Sequence, residues 1–228
     1  MLASSLTPRP PSQLAPWQAS PEAPLPPDVA GLIFDLDGTL VDTMPVHYRA
    51  WMAALEPHGL KLPEARFYSL AGAPTVKIAE TLCREQAVAA DHQAIAAQKE
   101  AHYLAHIAEI KRIEPVIGLA KAALAAGLKV SVASGGHRNV VSRQLAAAGL
   151  TDLFAVVACA DDVEHGKPAP DTFLLAAKRM GVSPQACIVY EDAELGFQAA
   201  QAANMRCVDV RPWYGGKAAE SPDHRLPA

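Results

Sequence analysis

Two aspartates, Asp35 and Asp37, stand two residues apart at the end of a short apolar run, in the stretch FDLDGTLVDT. Residues i and i+2 of an extended chain point the same way, so both carboxylates would face one reacting group, and Gly38 permits a turn that keeps the backbone close to it. Alone, such a pair reads equally well as a solvated strand end whose acids cap the next turn. Three further features tip the balance. Ser134, followed by Gly135 and Gly136, ends a second apolar run and opens a helical stretch, offering a hydroxyl and free amides to phosphate oxygens. Lys167, in GKPAPDTF, follows a third run and would neutralise charge on a transferring group. Glu191 and Asp192 end a fourth, and with Asp35 they supply the hard carboxylate oxygens that suit magnesium, an ion that takes few protein carboxylates and keeps several waters. Each feature singly has a plainer explanation as a helix cap, a surface charge or an acidic loop. Their succession at four strand ends points to phosphoryl transfer.

Such residues need a scaffold that sets strand ends side by side. Short apolar runs at 31–34, 128–133, 154–158, 187–190 and 207–210 are separated by Ala/Leu-rich stretches of helical spacing at 119–126, 138–148, 171–180 and 194–203. Gly127, Gly149 and Gly181 fall where helix C-caps belong. The alternation predicts an α/β fold, a Rossmann-like doubly wound parallel sheet covered on both faces. One gap breaks it: between the first strand and Val116 the chain reads as helices only, roughly at 45–56, 75–85 and 91–110. An all-helical domain inserted after the first strand is therefore expected, covering 44–115, with the core formed by 29–43 and 116–212. Residues 1–28 hold eight of the 19 prolines and few aliphatics, which predicts a disordered tail, and 213–228 read as a second tail.

Composition limits the partners. The 228 residues are 50% hydrophobic and 19% charged with a net charge of −4, so nothing in the overall balance attracts nucleic acid or anionic lipid. Anionic substrates must be met by a few placed cations. No apolar run reaches the length of a membrane span, and Pro8, Pro10 and Pro11 interrupt early the apolar stretch that a secretory signal needs, so residues 1–28 do not read as an obvious targeting sequence. Cys83, Cys159, Cys187 and Cys207 lack CxxC spacing, which fits a reduced, cytoplasmic setting. The expectation is a monomer acting on a small phosphate ester.

The stretches FDLDGTLVDT, VASGGHRN, HGKPAPDTF and YEDAELGFQAA together resemble the haloacid dehalogenase superfamily, in the subgroup related to β-phosphoglucomutase, over roughly residues 30–212. The resemblance implies that the helical insertion is a cap domain, that Asp35 is the nucleophile forming an aspartyl-phosphate, and that Asp37 is the general acid/base. It also implies that Ser134 and Lys167 contact phosphate, and that Mg2+ is held among Asp35, Asp37, Glu191 and Asp192. In the cap, His47 resembles a histidine that contacts the counterpart of Asp37, Lys99 a lysine that reaches substrate, and Trp51 a subgroup position that also suits helix packing. The stretch LAGAPTVKI corresponds to a substrate-specificity loop in which mutases present an arginine to a second phosphate. Here Thr75 stands at that position. Without a bidentate cation there, water can win as phosphate acceptor. The Ala-Pro-Thr sequence, together with HGKPAPDTFLLAAKRMGV, resembles the fructose-1-phosphate phosphatase-like branch, which implies a phosphatase on a sugar or sugar-acid phosphate, of the fructose 1-phosphate or 6-phosphogluconate type, with β-phosphoglucomutase as the alternative. A phospho-accepting signalling module would not need the insertion, and a nicotinamide-binding domain would want GxGxxG where this chain has DLDGTL.

Overall fold

The computed structural model describes residues 20–70 and 73–215. Five parallel strands lie in the order β5-β4-β1-β6-β7, comprising β1 (Gly31–Phe34), β4 (Lys129–Ala133), β5 (Val156–Ala158), β6 (Cys187–Glu191) and β7 (Arg206–Asp209). All four residues of β1 are buried, as a central strand with helices on both faces requires. Leu32 and Phe34 join one hydrophobic cluster with Val130, Val132, Ile188 and Tyr190, whereas Ile33 points to the opposite face with Ala133, Val189 and Phe173. The covering helices are α5 (Glu114–Ala125), α6 (Arg138–Ala147), α7 (Asp171–Met180) and α8 (Glu194–Ala202).

Strand order reverses direction beside β1: the chain moves outward through β4 and β5, then returns to β6 and β7 on the other side. The carboxyl ends of β1 and β6 therefore flank a topological switch point, where open α/β sheets leave a crevice for ligands. Asp35 follows β1 directly and its amide donates to the Tyr190 carbonyl at 3.0 Å, which fixes it beside the end of β6.

The insertion consists of α1 (Met44–Leu55), α2 (Glu64–Ser69), α3 (Thr75–Glu85) and α4 (His92–Ala105). It has its own core of Trp51, Leu55, Phe67, Ile78, Leu82 and Ile95, so Trp51 packs between helices. Two features here were not expected. A six-residue helix, α2, is too short to show periodicity, and the insertion is tied at its base by an antiparallel ribbon of β2 (Val41–Asp42) with β3 (Lys111–Arg112). The long helix expected to run through Ile110 stops at Ala105, followed by a 3-10 turn at Ile107–Glu109.

Parts of the two segments read as tails are described, and they pack on the core. Residues 1–19 and 216–228 lie outside the described residues, but Ala23 and Leu25 pack against the main core, and Asp28 pairs with Arg206 at 3.1 Å. Two aliphatic contacts and an ion pair hold a segment whose prolines already favour turns. At the other end Trp213 and Tyr214 also pack on the core. All four cysteines are free, three of them buried, and no helix among the described residues is long and apolar enough to cross a membrane.

Candidate active site

The turn after β1 builds the centre of the site. The Leu36 carbonyl accepts from the amides of Thr39, Leu40 and Val41 at 3.3, 3.0 and 3.0 Å. Gly38 has a φ of +87°, and a Cβ there would lie 2.1 Å from Asp192 Oδ2, so both conformation and closeness demand glycine. Asp35 and Asp37 leave this turn in different company.

Asp35 joins a buried acidic group. Ligand oxygens of Asp35, Glu191 and Asp192 all lie within 4.8 Å of one another. Lys167 Nζ lies 2.5 Å from both Asp35 Oδ1 and Glu191 Oε1, and its side chain is only 10% exposed. Glu191 Oε2 accepts from the Asp192 and Ala193 amides at 2.8 Å each, and the whole side chain is pressed onto α8, where a Cβ at Gly196 would fall 1.8 Å from Oε1. Both Glu191 oxygens are thus engaged, while Thr39 Oγ1 approaches Asp192 Oδ1 at 3.4 Å.

The charges do not balance. Three carboxylates against one ammonium leave two negative charges in a buried space. Burial raises the Asp35 carboxyl well above the usual range, with Lys167 pulling it down and Glu191 and Asp192 pushing it further up. Asp192 is pushed up to about 7 by burial and then by Glu191. Burial alone would lower Lys167, but Asp35 and Glu191 lift its ammonium above the ordinary lysine range. Hard oxygen donors with two uncompensated charges fit a divalent cation.

The Asp37 carboxylate, counted from sequence among the magnesium ligands, is turned elsewhere. Its Oδ1 accepts from Thr43 Oγ1 and from Gln144 Nε2, both at 2.7 Å. Thr43 occupies the N-cap of α1 but makes no side-chain cap bond, because its hydroxyl goes to Asp37. Burial raises Asp37 from its usual value, and these two hydrogen bonds draw it back. Gln144, fully buried in α6, also donates to Tyr103 Oη of α4 at 2.7 Å.

The insertion supplies the opposite wall. The His47 ring stacks on Tyr103 at a centroid distance of 3.9 Å and an interplanar angle of 11°, and its buried Nδ1 has no partner. Burial, helped by Lys99, pushes the imidazole down to about 3. Lys99 is buried near the rings of Trp51 and Tyr103, with Nζ 5.9 and 5.4 Å from their centroids. Glu100 Oε1 takes hydrogen bonds from Lys99 Nζ at 3.0 Å and from Thr75 Oγ1 at 2.8 Å. Ala71 and Gly72 of the expected specificity loop lie outside the described residues.

Ser134 is buried where β4 ends beside β1, with Oγ accepting from the Gly136 amide at 3.0 Å. His137 is exposed and pairs with Asp161, and His102 and His106 are also exposed. Sequence reasoning missed Thr43, Glu100 and Gln144. For Gln144 a signal existed, because it stands between Val141 and Leu145 on the buried stripe of α6, where an apolar residue is expected.

A family model for haloacid dehalogenase-like hydrolases matches residues 29–204. Fructose-1-phosphate phosphatase YqaB of Escherichia coli is 40% identical over 182 residues, 80% of this chain and 96% of that protein. Hexitol phosphatase A of the same organism is 31% identical over 79% of this chain and 82% of its own length. Among solved structures, β-phosphoglucomutase from Clostridium difficile superposes with a TM-score of 0.69 at 28% identity, over 79% of this chain and 84% of that one.

Proposed function

The chain belongs to the haloacid dehalogenase-like hydrolases, and we propose that within them it is a Mg2+-dependent phosphatase for a small phosphorylated sugar or sugar acid. The observation that carries this reading is the division of the two aspartates. Asp35 lies in the acid and lysine group, whereas Asp37 is held apart on Thr43 and Gln144.

Asp35 attacks phosphorus and forms an aspartyl-phosphate, which splits a difficult transfer into two displacements. Repulsion between its carboxylate and the phosphate dianion is offset by Lys167, placed to bind a phosphoryl oxygen as it already binds Asp35. Asp35 and Asp192 would hold the metal, with Glu191 fixing Lys167 and the loop behind them. When bound, the divalent ion adds the positive charge that the buried carboxylates lack. Ser134 and the amides beyond it offer further phosphate contacts. Asp37 protonates the departing sugar oxygen and then takes a proton from the water that hydrolyses the aspartyl-phosphate.

Hydrolysis is favoured over mutase action by the wall of the insertion. At the position where a mutase presents arginine, Thr75 donates to Glu100, which also neutralises Lys99. A second phosphate would meet a carboxylate there, whereas a sugar hydroxyl meets both a donor and an acceptor. The names of the two curated relatives, a fructose-1-phosphate phosphatase and a hexitol phosphatase, support a monophosphorylated sugar or polyol. The test is release of inorganic phosphate from a panel of sugar phosphates with and without Mg2+. Conversion of glucose 1-phosphate to glucose 6-phosphate without phosphate release would overturn it.

A further inference from the structure

Gln144 is a polar residue where the fold would accept an apolar one. Val141, Gln144 and Leu145 form the buried stripe of α6, and Gln144 is 1% exposed. Its Oε1 is buried without a partner, which burial makes costly. Packing alone therefore does not account for it, whereas its amide nitrogen does something specific. Nε2 has two hydrogens and gives one to Asp37 Oδ1 and one to Tyr103 Oη, each at 2.7 Å.

We infer that Gln144 is a positioning residue for Asp37, an inference that rests on the reading of Asp37 as the acid serving the leaving group. A carboxylate held by one donor can still rotate about that bond. Thr43, from the start of α1, and Gln144, from α6, grip the same oxygen from two elements, which fixes the carboxyl plane and leaves Oδ2 outside both bonds. Tyr103 serves Gln144 in turn, since accepting the second hydrogen fixes the rotation of the amide. The chain Tyr103, Gln144, Asp37 thus sets where the proton for the departing oxygen is delivered. Misplacement by about 1 Å is enough to lose a large part of such catalysis.

The inference is read out by leaving-group dependence, which a loss of packing would not produce. A sugar alkoxide needs a proton to depart, while p-nitrophenolate leaves without one. Values of kcat/KM report steps up to that departure and are measured for a sugar phosphate and for p-nitrophenyl phosphate. Gln144→Met keeps length and volume but has no donor. It should lower kcat/KM for the sugar phosphate about 10- to 100-fold while changing that for p-nitrophenyl phosphate less than about threefold. Tyr103→Phe keeps the bond to Asp37 and should show the same discrimination, reduced to about 3- to 10-fold; it serves if Gln144→Met does not fold. Equal losses on both substrates, or no loss on either, overturn the role of Gln144. Asp37→Asn separates the two levels of the argument. If it discriminates and both other variants do not, only the positioning role falls, and if it does not discriminate, the acid assignment falls and the positioning role with it.

Discussion

Replacing His47 with glutamine should make the protein less sensitive to mild acid. In the folded chain the ring is stacked on Tyr103 with Nδ1 buried, and burial plus the nearby Lys99 ammonium move its titration from 6.5 to about 3. The unfolded chain takes up this proton near 6.5, so below that pH protonation favours unfolding. The stability tied to neutral His47 is complete above about 6.5 and is lost as pH falls toward about 3. Over the whole window this amounts to roughly 4–5 kcal/mol, and by pH 5, where the unfolded imidazole is mostly protonated, to about 2 kcal/mol. Urea unfolding of both proteins at pH 7 and pH 5 measures it. The wild type should lose about 2 kcal/mol more than His47→Gln, because the other titrating groups, Asp35 and Asp192 among them, are shared and cancel. Losses that agree within about 0.5 kcal/mol would show that His47 is solvated and protonates freely in the folded state.

Asp35→Asn should abolish turnover while leaving the circular dichroism spectrum near that of the wild type; substantial residual phosphate release would exclude Asp35 as nucleophile. Gly196→Ala and Gly38→Ala place a methyl group 1.8 Å from Glu191 Oε1 and 2.1 Å from Asp192 Oδ2, so each should lower kcat at least about 100-fold. By contrast Gly118→Ala, in α5 with nothing near the new methyl, should retain activity and gain up to about 1 kcal/mol in stability. Chelation with EDTA should stop phosphate release, and Mg2+ should restore it and raise the unfolding free energy by about 3 kcal/mol at a hundred times its Kd; an unfolding midpoint indifferent to Mg2+ would contradict a cation site in the folded core. Thr75→Arg combined with Glu100→Gln should shift relative kcat/KM toward hexose bisphosphates, by roughly tenfold or more for a desolvated ion pair; an unchanged preference would remove both residues from the specificity wall.

The core was legible because its strands are buried on both faces. A run such as GLIF, apolar at every position and closed by acids, declares both a central parallel strand and the edge at which chemistry sits, and β1 falls where the pattern places it, at Gly31–Phe34. The same logic located Ser134, Lys167 and the Glu191–Asp192 pair. What failed to show was set by tertiary contact. The ribbon of Val41–Asp42 with Lys111–Arg112 has two residues per strand, too few for any period, and exists only because the two ends of the insertion meet. Thr43 reads as an ordinary helix N-cap, since nothing local reveals that its hydroxyl is turned to Asp37. Glu100 reads as a solvated partner of its helix neighbours until α3 brings Thr75 against it. Only Gln144 left a trace in the pattern, as the polar residue on an apolar stripe.

Charge explains why these residues divide as they do between the two parts of the fold. Around Asp35 the core sets three carboxylates against one ammonium under little solvent, a state that is costly for folding and persists only because Lys167 binds two of the carboxylates and the glycines at 38 and 196 let Asp192 and Glu191 close in. On the proposed reading this imbalance draws a cation and, through it, phosphate. Across from it the insertion is balanced: His47 is neutral, and Lys99 is matched by Glu100. A wall without net charge gives little hold to a second phosphate and, on the proposed reading, leaves the non-reacting end of the substrate to hydroxyl contacts. On the proposed reading the chemistry follows from imbalance in the core, and the choice of substrate from balance in the insertion. Gln144 and Tyr103 are where the two meet, because the amide bonded to Asp37 in one is held by the hydroxyl of the ring that stacks on His47 in the other.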